Sequence, residues 1–387
     1  MPIDISNILR GEFARAHDAY EKAVAAGNSP VASQQAARCA DLLTQLANND
    51  PSGGKAYLDS AKKWKETAEA VKKEGIKKPS VPEEEHKDAA LEFHGYVESL
   101  ISTSEVRWDD IGGLEEAKRL LQETVVVAAM KKPDAIKPWR GILLYGPPGT
   151  GKTLMAAAAA GSLRASFFNV SADKVLSKYY GESSRLIAAL YEVAMEKAPS
   201  IVFIDELDSL TLSRSGDLDE ATRRTLSTFL SQLDGFKNKK SSRLVMTLAA
   251  TNSPWDIDSA ALSRFARRIY IPLPDAKAAA DIVKANTKGL DTSRVEFGSL
   301  ALECERRLFS GRDISYLCQQ AMWNMIRDQN KDLPQLSVLP IEELSAKSIK
   351  TRPLAKSDFD EAFEKIKVPL KPQDLGKFAK WSEEFGA

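Results

Sequence analysis

Cysteine is scarce in this sequence: Cys39, Cys304 and Cys318 are the three copies in 387 residues. They lie too far apart for a disulfide framework or a cluster of thiolate metal ligands, so a reducing, cytoplasmic setting is expected. Net charge is missing too. Lys and Arg total 54, and so do Asp and Glu, which removes the overall field that a binder of nucleic acid or of an anionic membrane would carry. No apolar run reaches the roughly 18 residues of a membrane span. The first residues show no basic stretch followed by an apolar one, so no secretory leader is expected either. What remains is an ordinary globular balance, 43% hydrophobic and 28% charged, over a length that suggests two or three domains.

Residues 1–75 carry only helical periodicity. Ile5, Leu9, Phe13, Ala16 and Tyr20 recur at helical spacing, as do Ala36, Cys39, Leu43 and Leu46, and then Tyr57, Ala61, Trp64, Ala68 and Val71. "GNSP" and "NNDPSGG" break the pattern between them. Three amphipathic helices with short turns predict a small antiparallel bundle. Residues 76–104 read as a linker, with Pro and blocks of like charge, followed by a short helix near "AALEFHGYVESLI". From Trp108 the texture changes. "RGILLYG", "ASFFNVSA", "SIVFIDE", "SRLVMTLAAT" and "RRIYIPL" are short apolar or β-branched runs separated by helical segments. That rhythm predicts a parallel sheet covered on both faces over residues 105–273. Beyond it the strands stop, and residues 274–387 read as a helical subdomain ending in a C-terminal helix.

"GPPGTGKT", Gly146 to Thr153, fits the spacing G-x-x-x-x-G-K-[ST] between the strand run "ILLY" and the helix-forming "LMAAAAA". In such a loop the glycines let backbone N–H groups turn inward at a helix N-terminus and cradle phosphate. Lys152 reaches the β- and γ-phosphates of ATP, and the Thr153 hydroxyl ligates Mg²⁺. "SIVFIDE" ends a buried strand in two carboxylates, Asp205 for Mg²⁺ and Glu206 to activate the attacking water, a pairing that a hydrolase needs and a mere binder does not. Asn252 ends the strand "LAATN", where a polar amide can position that water. Arg264, Arg267 and Arg268 stand ahead of the next strand run, and arginine suits phosphoryl-transfer charge supplied from a neighbouring subunit.

"WDDIGGLEEAK", "GILLYGPPGTGKT", "IVFIDELDSL", "ATNSPWDIDSAALSRFARRIYIPLPD" and "KWSEEFG" occur together in this order. Over residues 105 to 387 the sequence resembles AAA ATPases, most of all the meiotic clade of katanin, spastin, fidgetin and the ESCRT-disassembling vacuolar-sorting ATPase. Residues 1–75 resemble, more weakly, the MIT bundles of these proteins. The resemblance implies a P-loop AAA+ core with a helical lid, assembled as an ATP-dependent homo-hexamer with ATP between subunits. It implies that Asp110, Ile111 and Gly112 hold adenine beside the loop Gly146, Pro147, Pro148, Gly149, Thr150, Gly151, Lys152, Thr153 and Leu154. It makes Arg264 the catalytic arginine offered to the next protomer of the ring. "SKYYGES" takes the place of the central-pore loop, so Lys178, Tyr179 and Tyr180 would grip an extended polypeptide drawn from a protein polymer, an ESCRT-III-like filament or a microtubule; aromatics offer contact area without sequence demand. Residues 215–226 fall where a second pore loop sits, and the bundle would dock a helix or tail of a partner protein. The alternative is a nucleotide-controlled assembly scaffold with weak hydrolysis and no threading. Two positions depart from the pattern. Ser263 replaces the first of two arginines, and Arg312 stands between Gly311 and Asp313 where Ser or Ala is usual.

Overall fold

The structure, a computed structural model, describes residues 6–49, 54–74, 93–133, 135–136, 138–172, 182–211, 220–238, 243–368 and 370–386. Lys178, Tyr179, Tyr180, Ile5, residues 76–92 and residues 215–219 of the second loop lie outside the described residues. Two compact units divide the chain, Met1–Ala89 and Ala90–Ala387.

The first unit holds three helices, α1 (Ser6–Ala25), α2 (Ser29–Asn49) and α3 (Gly54–Glu74). Leu9 and Ala16 of α1, Cys39, Leu42, Leu43 and Leu46 of α2 and Ala61 of α3 form its core. Trp64 meets Phe13, His17 and Tyr20 of α1 edge-on, with ring centroids 6.3, 5.3 and 5.1 Å apart, the geometry that the quadrupoles of aromatic rings favour. Of the apolar positions read from periodicity, Leu9, Phe13, Ala16, Cys39, Leu43, Leu46, Tyr57, Ala61 and Trp64 meet in this core.

The second unit is built on six strands: β1 (Ile101–Ser102), β2 (Gly141–Tyr145), β3 (Ser166–Ser171), β4 (Ser200–Asp205), β5 (Val245–Thr251) and β6 (Arg267–Tyr270). Their order is β1-β3-β4-β5-β2-β6. All neighbours are parallel except β1, which pairs antiparallel with β3 through Ile101 and Phe168. Between the strands run α4 (Glu115–Ala129), α5 (Lys152–Leu163), α6 (Ser183–Glu196), α7 (Leu207–Thr211), α8 (Glu220–Asn238) and α9 (Ser259–Arg264). Side chains alternate across a strand, so Ile142 and Leu144 pack with Leu121, Val125, Met155 and Ala159 of α4 and α5. Leu143 and Tyr145 pack on the other face with Leu190 of α6 and Phe229 of α8. Burial on both faces explains why these strands read as unbroken apolar runs.

Helices α10 (Ala276–Asn286), α11 (Phe297–Arg306), α12 (Gly311–Gln329), α13 (Leu333–Leu336), α14 (Ile341–Ser345) and α15 (Lys356–Lys365) follow. Val283, Cys304, Phe309, Leu317, Cys318, Phe359 and their neighbours give this lid a core of its own. The last helix, α16 (Pro372–Phe385), leaves that core and returns to the sheet. Its Phe378 and Trp381 are buried in the α/β core. Trp381 meets the Tyr145 ring edge-on at 4.5 Å, and the Tyr145 hydroxyl and Ser382 Oγ share a 2.8 Å hydrogen bond.

Three details differ from the sequence reading. The short helix expected after the linker is present at residues 93–99, but its Phe93 and Val97 are buried in the α/β core, and β1 adds an antiparallel edge to a sheet expected to be parallel. Arg267 and Arg268 lie within β6 rather than ahead of it. Arg268 spans structural carbonyls, donating to Phe265, Leu262 and Phe385.

Candidate active site

A parallel strand ends in a loop, and an open parallel sheet gathers those loops where the connections diverge to opposite sides. Here β2 leads through α5 to β3, two strands beyond β5, while β5 leads to β6 on the far side of β2. The tips of β2, β4 and β5 therefore share one crevice, with Tyr145 opposite Thr251 and Ile204 opposite Ala249. A cavity of about 760 Å³ opens there. It is lined by Pro148 to Leu154 of the P-loop, by Asp110, Ile111 and Gly112, by Asp205 and Glu206, by Asn252, and by the lid residues Ile282, Ala285, Gly311 and Arg312. Of the residues expected to bind ATP, Gly146 and Pro147 are absent from this wall; their carbonyls lie behind it and accept from Lys152 Nζ at 2.9 and 2.8 Å.

Lys152 opens α5 and is 7% exposed. Burial holds its ammonium well below the ordinary lysine range, at about 8, against the attraction of Asp205 and Asp208 and with added repulsion from Arg312. An ammonium has three donors, and two are taken by the loop carbonyls, so one remains for a phosphate oxygen. Gly149 sits at φ +78, and a Cβ there would come within 2.5 Å of Ser310 Oγ. Only glycine lets the loop pass this close to the lid.

The Thr153 hydroxyl donates to Asp205 Oδ2 at 3.3 Å. Among the described residues no group of three or more His, Cys, Asp or Glu side chains is placed to hold a metal. One carboxylate and one hydroxyl at the phosphate-binding end of the cavity still fit Mg²⁺, which binds through one or two protein oxygens, phosphates and water. Glu206 is exposed at the tip of β4 and has φ +55, the left-handed region that a glutamate enters at a cost. Its backbone N–H donates to Asp205 Oδ1 at 2.9 Å. Asn252 Oδ1 is buried without a hydrogen-bond partner, and such an atom is costly unless a ligand or water serves it.

Arg264 is absent from the cavity of its own chain. It closes α9, where Nε and Nη2 donate to Asp234 Oδ2 at 3.1 and 2.9 Å. Ser263 donates to the Ala260 carbonyl and accepts from Arg264 Nη1 at 2.9 Å. Arg267 packs its guanidinium 4.9 Å from the Trp139 ring centroid. Lys118 was not foreseen. It is 9% exposed, and its Nζ donates to the carbonyl of Ile111 at 2.9 Å, bracing the turn that lines the cavity. The available signal was a lysine on the apolar stripe of α4, level with Leu121 and Val125.

A P-loop at the switch point of a parallel sheet, with paired carboxylates opposite and a helical lid above, defines a nucleotide-binding unit of the P-loop class. Residues 142–273 match the model of the ATPase family associated with various cellular activities (AAA), and residues 335–386 match the Vps4 C-terminal oligomerisation domain. The chain is 43% identical over 292 residues to a katanin p60 ATPase-containing subunit, of the A-like 1 type, from Sorex araneus; the match covers 73% of this chain and 58% of that protein, less than two thirds of its length. It resembles the crystal structure of the FIGL-1 AAA domain in complex with ADP, with a TM-score of 0.64 and 34% identity over 77% of this chain and 97% of that one. It also resembles a chain from a study of the structural basis for katanin self-assembly, with a TM-score of 0.61 and 32% identity over 75% and 96%. The chain belongs to the AAA ATPases, binds nucleotide and carries an oligomerisation domain.

Proposed function

We propose that this chain is an ATP-hydrolysing mechanoenzyme that works as a homo-hexamer in the cytoplasm and severs or dismantles a protein polymer by drawing polypeptide through the ring. The observation that carries this reading is the convergence on one cavity of a buried lysine, an Asp–Glu pair and an unpartnered amide oxygen. Lys152 holds the phosphates. Thr153 and Asp205 would hold Mg²⁺, which when bound neutralises charge on the transferring phosphoryl group. Glu206 accepts a proton from the attacking water and Asn252 orients it. Arg264 of the adjoining protomer completes the site, and its position at the end of α9, outside its own cavity, supports that role. Tyr179 and Tyr180, flanked by Lys178, grip the threaded chain. Likeness to a katanin p60 protein favours a microtubule over an ESCRT-III-like filament as the polymer. Residues 1–75, an MIT-like bundle, dock the partner that presents it.

The test is filament disassembly followed by light microscopy, with ATP turnover measured alongside, for the full chain and for Tyr179→Ala. The expected result is ATP-dependent breakage of microtubules that Tyr179→Ala abolishes while hydrolysis persists. Breakage that survives Tyr179→Ala would remove threading. Turnover without action on either polymer would favour the scaffold reading.

A further inference from the structure

Arg312 is a cation in an unfavourable place. It lies in the first turn of α12 and lines the nucleotide cavity, with an exposed side chain. A helix N-terminus carries partial positive charge and repels cations. The Lys152 ammonium borders the same space, and Arg312 is one of the groups that lower its proton affinity. Carboxylates line the same cavity, Asp205 and Glu206 among them, but none is paired with it: the guanidinium makes no hydrogen bond or ion pair with any described residue.

The backbone nevertheless holds the residue firmly. Ser310 caps α12 and closes a reciprocal box with Asp313, whose carboxylate accepts from the Ser310 N–H at 2.9 Å while the Asp313 N–H donates to Ser310 Oγ at 3.3 Å. The Arg312 N–H donates to the carbonyl of Gly149, inside the P-loop, at 3.1 Å. A Cβ on Gly149 would lie 2.9 Å from that of Arg312. Two cations and a helix N-terminus thus border the cavity, and a multiply charged anion there would meet all three.

We propose that Arg312 binds the terminal phosphate oxygens of the nucleotide held by its own chain, so that the lid senses how many phosphates are present. The inference rests on the nucleotide site described above and adds a lid contact made within a single protomer. Arginine suits it because its planar fork can donate two parallel hydrogen bonds to one phosphoryl group. The lid, joined to the P-loop at Gly149, would then be drawn onto the triphosphate and released as the terminal phosphate leaves.

Isothermal titration of the full chain with a non-hydrolysable ATP analogue, ADP and adenosine tests this, comparing wild type with Arg312→Ser, the residue usual in the family pattern, and with Arg312→Lys. In Arg312→Ser the analogue should lose on the order of ten- to a hundredfold in affinity. ADP should lose less, adenosine nothing, and Arg312→Lys should recover part of the loss. An unchanged ratio of analogue to ADP affinity in Arg312→Ser, with wild type binding both, would overturn the proposal and leave the nucleotide site intact. If wild type binds the analogue no better than adenosine, the reading of the site itself fails, and this inference with it.

Discussion

Nucleotide affinity should fall as pH rises past about 8, because the principal phosphate-binding cation is nearly buried. The Lys152 ammonium sits at about 8 in the protein alone instead of the usual 10.5, chiefly because burial disfavours its charged form. A phosphate beside it favours the charged form and raises that value again. Binding above about pH 8 must therefore take up a proton. Each further unit of pH then costs about tenfold in affinity, or about 1.4 kcal/mol, until the pKa of the bound state is passed. At about pH 9 roughly nine lysines in ten start neutral, so titration calorimetry in buffers of different ionisation heat should register uptake of close to one proton. The sign for stability is opposite to that for binding. The unfolded chain keeps its proton up to 10.5 while the folded one loses it near 8, so the charged lysine weakens the fold below about 8. Its penalty is relieved as pH climbs between the two values. Affinity that stays flat to about pH 9.5, with no proton uptake, would refute the burial argument. Lys152→Arg should bind weakly but without this pH dependence, since a guanidinium stays charged throughout.

Other perturbations address the remaining parts. Glu206→Gln should keep nucleotide affinity and lose at least a hundredfold in turnover; steady-state phosphate release decides, and near-normal turnover would remove Glu206 as the base. Arg264→Ala should lose on the order of a thousandfold in turnover, and mixing it with Glu206→Gln protomers should restore no more than partial activity; a loss below tenfold would point to Arg267. Trp381→Ala should cost about 3–5 kcal/mol, as for a large aromatic removed from a packed core, measured by denaturant unfolding; a cost below 1 kcal/mol would contradict the docking of α16 on Tyr145.

The parts of the site carried by contiguous sequence were legible beforehand. In Gly146–Thr153 and Asp205-Glu206 the chemistry depends on spacing along the chain, and a strand must end where its apolar run does. Other features are set by pairing across the fold. Ile101–Ser102 is a strand only because Phe167 and Phe168 stand opposite; two residues carry no period of their own. The return of α16 to β2 depends on Trp381 finding Tyr145, a contact that joins distant parts of the chain. The left-handed backbone at Glu206 gives no sign in composition, because glutamate rarely adopts it. Lys118 stands on the apolar stripe of α4, but that its ammonium reaches the Ile111 carbonyl follows only from the packing of distant parts of the chain.

The seat of α16 bears on how C-terminal deletions are read. Residues 372–386 cover Tyr145 at the last position before the P-loop, and Phe385 supplies a carbonyl that Arg268 requires. Cutting them away would strip apolar cover from the strand that presents the phosphates as well as removing material used for assembly. A shortened chain that no longer self-associates would therefore already be a damaged protomer, and its failure to assemble would say nothing about which surface joins one copy to the next.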